Sequence, residues 1–113
     1  MAVRELRKGD ALIARARHAR SFWSRGWGLL GRRSLDSAEG LLLDPCGSVH
    51  TSFMRFPIDV VYLDRDWKVV KVVAALRPWR LSAGGRSARR TLELAAGEAA
   101  RCELREGDRL DIK

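Results

Sequence analysis

Cysteine is scarce in this sequence: Cys46 and Cys102 are the only two, and they form no CxxC pair. Small disulfide-rich domains and structural zinc sites depend on several cysteines, so neither kind of stabilisation is predicted. The chain has 113 residues, which is enough to bury its own hydrophobic core. We therefore expect a single domain over residues 1–113, with a core that begins at about residue 10.

Long apolar segments are also missing. No run approaches the roughly 18 apolar residues of a transmembrane helix. The cations Arg4, Arg7 and Lys8 are not followed by the apolar stretch of a secretory leader. A cytoplasmic protein without a membrane span is therefore expected.

Acidic residues are outnumbered by basic ones. The sequence has 22 Lys and Arg against 14 Asp and Glu, a net charge of +8, and residues 1–33 hold nine of these cations against two acids. A basic N-terminal third can attract an acidic protein or a nucleic acid. No nucleic-acid-binding motif or aromatic-rich RNA-binding signature accompanies it, so nucleic acid is not the expected partner.

What the sequence does contain is a series of short β-branched and apolar segments. Residues 58–63 are apolar on both faces, which predicts a central strand buried on both sides. The carboxylate of Asp59 within it then needs a cation or several backbone N–H donors. Further strands are predicted over residues 10–17, 41–43, 68–75, 91–94 and 109–113.

Two short helices accompany these strands. Ser21 is placed to cap a helix over residues 22–30, where aromatic residues recur at helical spacing, and a second helix is predicted over residues 95–104. The glycine- and arginine-rich residues 82–90 are predicted to be the most mobile loop. Most of the predicted strands are connected by short, hairpin-like links, and strands and helices do not alternate as they do in βαβ units. The predicted fold class is mainly β, a single-domain antiparallel β-sandwich or partly open, jelly-roll-like barrel with two short helices.

Several segments occur in a recognisable order and spacing. They are residues 25–32, Leu35, residues 40–41, residues 50–51, residues 57–59, residues 92–97 and residues 107–108. Together they resemble the domain of unknown function 192 family of bacteria and archaea, from about residue 10 to the end. The resemblance implies a compact, mainly β, sandwich-like fold with short helices and implies no activity. Many members carry an export leader, and many have an Asn-Thr pair where this sequence has His50-Thr51.

Polar and aromatic residues near the predicted central strand are the candidates for function. His50, Thr51 and Arg55 supply donors, and Arg25 supplies a charge for an anion. An apolar wall is supplied by Phe53, Met54 and Trp27. These features predict a non-catalytic module that binds a small polar or anionic ligand at a mouth formed by residues 46–57 and a helix over residues 21–31. The candidate ligand-binding residues are Arg25, His50, Thr51, Met54, Arg55, Asp59 and Glu93.

Other functions use overlapping residues. One alternative is a protein-interaction or scaffold domain in which the basic N-terminal third binds an acidic partner. Another is an enzyme with Cys46 as nucleophile, His50 as base and Asp59 as the orienting acid. A metal site could combine His50 and Asp59 with Glu93 or Asp44. No cofactor is predicted, and the oligomeric state is open.

A purely structural interpretation competes with all of these. In it, Cys46 packs in the interior, His50 hydrogen-bonds a backbone carbonyl, and Asp59 pairs with Arg25 or Arg32. The aromatic residues of the first helix would then belong to the core, which is the commoner role of an aromatic stripe.

Overall fold

The fold is known from a computed structural model that describes residues 2–19, 35–52 and 54–113, and these residues contain nine strands and one short helix. The strands are β1 (Ala2–Lys8), β2 (Ala11–Ala19), β3 (Glu39–Leu43), β4 (Ser48–His50), β5 (Ile58–Leu63), β6 (Val69–Leu76), β7 (Leu81–Ala83), β8 (Arg90–Ala95) and β9 (Asp111–Ile112). The helix is α1 (Glu98–Arg101). The predicted mainly β class is confirmed, and the predicted helix over residues 21–31 lies outside the described residues.

Seven strands form one curled sheet in the order β6-β5-β8-β3-β2-β1-β9, and β4 pairs with β7 in a separate two-stranded ribbon. Within the large sheet only β2 and β3 are parallel. Lys68 and Arg109 form a β-bridge between the two ends of this order, and the Val69 N–H donates to the Asp108 carbonyl at 2.7 Å. The sheet is therefore a partly open barrel, one of the two predicted architectures.

The position of β5 between β6 and β8 explains why all six of its residues are buried. Val61 and Leu63 pack into the larger core on one face of the sheet. Ile58, Val60 and Tyr62 pack on the other face, in what we call the second core. The second core consists of Leu35, Leu41, Leu43, Val49, Met54, Ile58, Val60, Tyr62 and Ala88. The predicted central strand with two apolar faces is confirmed.

The other predicted strands are also present, as β2, β3, β6, β8 and β9, but three strands were not predicted. β1 pairs with β2 and β9 and buries Leu6 completely, so the core begins before residue 10. Leu6 stands between charged neighbours in β1, which hides the alternation. The two ribbon strands are three residues each, which is too short for a recognisable period.

The second helix is shorter than predicted. β8 extends to Ala95 and α1 begins only after Gly97, whose φ of 95° lies in the left-handed region that favours glycine. Of the predicted residues 95–104, only four are helical.

Residues 82–90, predicted to be mobile, are held by several contacts. The Gly84 N–H donates to the Gly47 carbonyl at 2.9 Å, and Ala88 is buried in the second core. Gly84 packs so closely on the Tyr62 ring that a β-carbon there would lie 2.5 Å from it. This contact fixes the end of β7 against the sheet.

Candidate functional site

The ribbon of β4 and β7 lies over the second core. Val49, in the middle of β4, is buried in that core. Opposite it in register is Ser82, whose Oγ accepts a 2.8 Å hydrogen bond from the Tyr62 hydroxyl. Since side chains alternate along a strand, the remaining ribbon residues lie on the other face. These exposed residues are Ser48, His50, Leu81 and Ala83.

A groove of about 500 Å³ lies against the ribbon. Its described lining residues are Ser48, Val49, His50, Leu81, Ser82 and Ala83. The volume falls within the roughly 300–1,000 Å³ of small-molecule sites. The exposed face of the ribbon carries the Ser48 hydroxyl and the His50 imidazole, whereas Ser82 faces Tyr62. Because Ser82 Oγ accepts its hydrogen bond from Tyr62, the Ser82 hydroxyl hydrogen is left to donate elsewhere.

Thr51 fixes the segment before β7 to the end of β4. Its side chain is fully buried, donates to the Arg77 carbonyl at 2.6 Å and accepts from the Arg80 N–H at 2.9 Å. Its backbone N–H donates to the Arg80 carbonyl at 2.9 Å, and its carbonyl accepts from the Trp79 N–H at 3.0 Å. Thr51 is therefore a positioning residue, which places Arg77 and Arg80 next to His50.

The other candidates from residues 46–57 have contrasting environments. His50 is exposed at the groove, and Arg55 is exposed a few residues later. Met54 is only 8% exposed and packs in the second core beneath the ribbon. Arg25 and the helix expected over residues 21–31 lie outside the described residues. The structure therefore describes the ribbon side of the predicted mouth.

Asp59 is buried on the face of β5 opposite Tyr62 and lies away from the groove. Its Oδ1 accepts from the Ala75 N–H at 2.9 Å, and its Oδ2 accepts from the Gly97 and Ala99 N–H groups at 3.0 and 2.9 Å. The last two donors lie at the start of α1, where helical N–H groups lack intrahelical partners. Backbone donors, one of the two expected means, thus stabilise this carboxylate. The arginines predicted to pair with it lie outside the described residues.

Glu93 is a second buried carboxyl in the sheet, at 6% exposure. It lies in β8 between Leu41 of β3 and Val60 of β5, on the face that the second core covers. Burial raises the pKa of its carboxyl to about 7. No described residue donates a hydrogen bond to it. The second core lies between Glu93 and the ribbon, so the structure does not bring Glu93 into contact with His50.

Cations are concentrated in the segments that flank the ribbon in sequence. Residues 67–92 contain seven Lys and Arg and no acid, and residues 45–58 contain no acid. The exposed arginines next to the ribbon in sequence are Arg55, Arg77, Arg80, Arg86 and Arg89. None of these five forms an ion pair with a carboxylate of the described chain. Their charges are therefore left to raise the local potential.

The described cations of the N-terminal strands differ in this respect. Arg7 Nε lies 2.7 Å and Arg15 Nε 3.7 Å from a carboxylate oxygen of Glu5. Lys8 Nζ lies 3.0 Å from Asp108 Oδ2. These pairs compensate part of the charge that the sequence concentrates in residues 1–33.

The alternative chemistries find less geometric support. The Cys46 thiol donates to the Ser48 carbonyl at 2.9 Å, and no hydrogen bond joins it to His50. The described residues include no group of three or more His, Cys, Asp or Glu side chains arranged for a metal ion. In the same part of the chain, no helix has the length and apolar character needed to cross a membrane.

Sequence reasoning missed Arg77, Arg80, Leu81 and Ser82. Pro78 and the Gly84-Gly85 pair around β7 indicate a loop, and this masks the strand between them. The signal in the sequence is the long acid-free run over residues 67–92.

The profile of the domain of unknown function 192 family, described as an uncharacterized ACR, matches residues 4–112. The resemblance seen in the sequence is thereby confirmed over nearly the whole chain. No curated protein sequence matches this chain.

Two crystal structures share the fold. A protein of unknown function from Novosphingobium aromaticivorans DSM 12444 has a TM-score of 0.84 at 21% identity, covering 96% of this chain and 83% of that one. A putative transcription regulator from Sinorhizobium meliloti 1021 has a TM-score of 0.84 at 22% identity, covering 96% and 92% of the two chains. At these identities the likeness concerns the fold alone.

Proposed function

This chain belongs to the domain of unknown function 192 family, and from the geometry of its groove we propose that it is a binding module for a small anionic ligand. The observation that carries the proposal is the set of exposed arginines without carboxylate partners on the segments that flank the ribbon, against which a groove of about 500 Å³ lies. Three described lining residues of the groove, Ser48, Val49 and His50, belong to the segment predicted to form the mouth, and the other three belong to β7.

Both ends of the groove have cations close by. Thr51 holds Arg77 and Arg80 at the end where His50 faces Leu81. At the other end, Arg86 follows β7 in the segment that Gly84 fixes to β4. A guanidinium binds a carboxylate or a phosphate through two parallel hydrogen bonds, and such charge-assisted bonds are stronger than neutral ones.

The hydroxyl and imidazole groups complete the set of donors. Ser48 and His50 are exposed on one face of the ribbon. These neutral donors suit the remaining oxygen atoms of an anion. The exposed apolar side chain of Leu81 favours a ligand that also carries carbon atoms.

Thermal-shift and calorimetric titration with phosphate and citrate at low ionic strength test the proposal. We expect both anions to raise the melting temperature, and the doubly substituted R77Q/R80Q protein to bind them at least about tenfold more weakly. The matched control is R4Q/R15Q, which removes the same charge from β1 and β2, where surface ion pairs contribute little. No binding by the wild-type protein, or equal loss in both variants, would contradict the proposal.

The remaining functions stay predictions with their own tests. An interaction domain that uses the basic N-terminal third would lose its partners in R4Q/R15Q, not in R77Q/R80Q. A Cys46-dependent enzyme requires a thiol that reacts rapidly with a thiol-directed probe at neutral pH. The expected cytoplasmic location is tested by cell fractionation.

A further inference from the structure

We propose that the anion bound at this groove is an extended acidic peptide segment of a partner protein, which pairs as an additional strand with the outer edge of β7. This inference rests on the proposed anion-binding function and names the partner of the same site.

The hydrogen-bond pattern of the ribbon leaves this edge open. The Thr51 N–H donates to the Arg80 carbonyl, and the Gly84 N–H donates to the Gly47 carbonyl. Hydrogen-bonded pairs alternate in an antiparallel ladder, so the pair Val49–Ser82 between them is also of this kind. The backbone groups of Leu81 and Ala83 must then point away from β4.

Few of these outward groups have partners. β7 pairs with no strand other than β4 among the described residues. The Ala83 carbonyl accepts a 2.8 Å hydrogen bond from Lys71 Nζ. The Leu81 N–H, the Leu81 carbonyl and the Ala83 N–H have no described partner. An unpaired edge of this kind is the surface on which peptides add a strand.

The exposed side chains on this edge indicate what the peptide carries. Leu81 is 84% exposed and Trp79 is 60% exposed. Trp79 also has a φ of 64°, a strained value for a residue with a β-carbon, and the hydrogen bond to Thr51 holds it there. A small anion uses neither the apolar surface nor the backbone donors, whereas a peptide uses both.

The positive charge of the segments around β7 favours an acidic peptide. The run over residues 67–92 has seven cations and no acid, and Arg77, Arg80 and Arg86 flank β7 on both sides. Side chains alternate along a strand. A segment that alternates Glu with an apolar residue would therefore direct one kind of side chain to Leu81 and the carboxylates to the other side, within reach of the arginines.

The probe is a synthetic nine-residue peptide that alternates Glu and Val, with blocked ends and a fluorescent label. Fluorescence anisotropy measures its affinity, and two N-methylated versions serve as a matched pair. One carries methyl groups on the odd-numbered amides and the other on the even-numbered amides. In a strand, alternate amides point in opposite directions, so we expect one version to bind at least tenfold more weakly than the other. A register shift of one residue would reverse all side chains.

A protein variant supplies the second arm. L81A is expected to weaken the unmethylated peptide several-fold, while V3A, which removes an exposed side chain from β1, leaves its affinity unchanged. Neither change touches the ribbon hydrogen bonds. Equal binding of both methylated peptides would show attraction by charge alone and would overturn strand pairing.

Other outcomes separate this inference from the proposed function. If phosphate and citrate bind but the peptide does not, the partner is not a peptide and the anion site stands. If none of the three binds, both ideas fail. If a nine-nucleotide single-stranded DNA binds more tightly than the peptide, with affinity that falls steeply with salt, the surface is one for nucleic acid and the peptide assignment is wrong.

Discussion

The Tyr62 hydroxyl donates a 2.8 Å hydrogen bond to Ser82 Oγ, and this bond joins the central strand of the barrel to the ribbon that carries the groove. Tyr62 is completely buried, so its hydroxyl has no water to replace this partner. The same contact sets the direction of the Ser82 hydroxyl hydrogen. The ribbon geometry therefore depends on a residue of β5 that itself does not line the groove.

Replacing Tyr62 by Phe removes this bond and leaves the ring packing in place. We expect a loss of about 1 kcal/mol in the free energy of unfolding. Phosphate affinity should stay within about twofold of the wild-type value, because Ser82 faces the second core and Ser48 and His50 lie on the other face of the ribbon. Urea denaturation and calorimetry measure the two effects. A large loss of affinity in Y62F would show that Ser82 contacts the anion.

Gly84 offers a test of how closely the ribbon packs on the sheet. A β-carbon at this position would lie 2.5 Å from the Tyr62 ring and 2.6 Å from the Ala88 β-carbon. G84A should therefore lower the free energy of unfolding by about 1–3 kcal/mol, as overpacking does. The control is S87A, an exposed change in the same segment, for which we expect less than about 0.5 kcal/mol. Equal stability of the two variants would show that the segment shifts to accommodate the added methyl group without a loss of stability.

Asp59 should be needed for stability instead of binding. In D59N, an amide NH₂ group replaces one of the two carboxylate oxygens, and this group donates hydrogen bonds and cannot accept from backbone N–H groups. We expect a loss of about 3 kcal/mol, with faster hydrogen exchange of the Gly97 and Ala99 amides. D111N, at an exposed position of β9, is the matched control. Normal stability with lost anion binding in D59N would place Asp59 in the ligand site after all.

Structural features that depend on neighbouring residues could be predicted from the sequence, and features that depend on residues far apart in the chain could not. The burial of residues 58–63 and the need of Asp59 for donors are visible locally, because apolar alternation and an isolated carboxylate lie in one short segment. The bonds that give Thr51 its role join it to residues 26 and 29 positions away. No spacing rule connects such residues, so the sequence could not predict these bonds, and a ligand contact of Thr51 stays a prediction.

The same holds for charge pairing, which the structure describes for residues 2–19 of the basic N-terminal third. Counting cations along the chain singled out residues 1–33. Compensation is decided in space, however: Glu5 contacts two arginines of the first two strands, while the arginines near the ribbon have no described carboxylate. The sequence contains the charges, and the sheet register decides which of them are paired.

Glu93 predicts a pH dependence of stability. Burial raises the pKa of its carboxyl from 4.5 to about 7, so between these values the folded state binds more protons than the unfolded state. The free energy of unfolding contributed by this group is therefore fully present below about pH 4.5 and is lost as the pH rises toward 7, by roughly 3 kcal/mol in all. E93Q cannot ionise and should lose this slope, becoming more stable than the wild type at pH 8.

Glu98 provides the opposing control for that experiment. Its hydrogen bonds with Arg101 lower the pKa of its carboxyl to about 2, so its contribution is present above about pH 4.5 and is lost only as the pH falls toward 2. E98Q should therefore keep the decline in stability between pH 4.5 and 7 that E93Q removes. Urea denaturation of the three proteins at pH 5 and pH 8 measures the difference. If the stability of E93Q still declines between pH 5 and pH 8, another group causes the decline, and Glu93 is ionised in the folded protein.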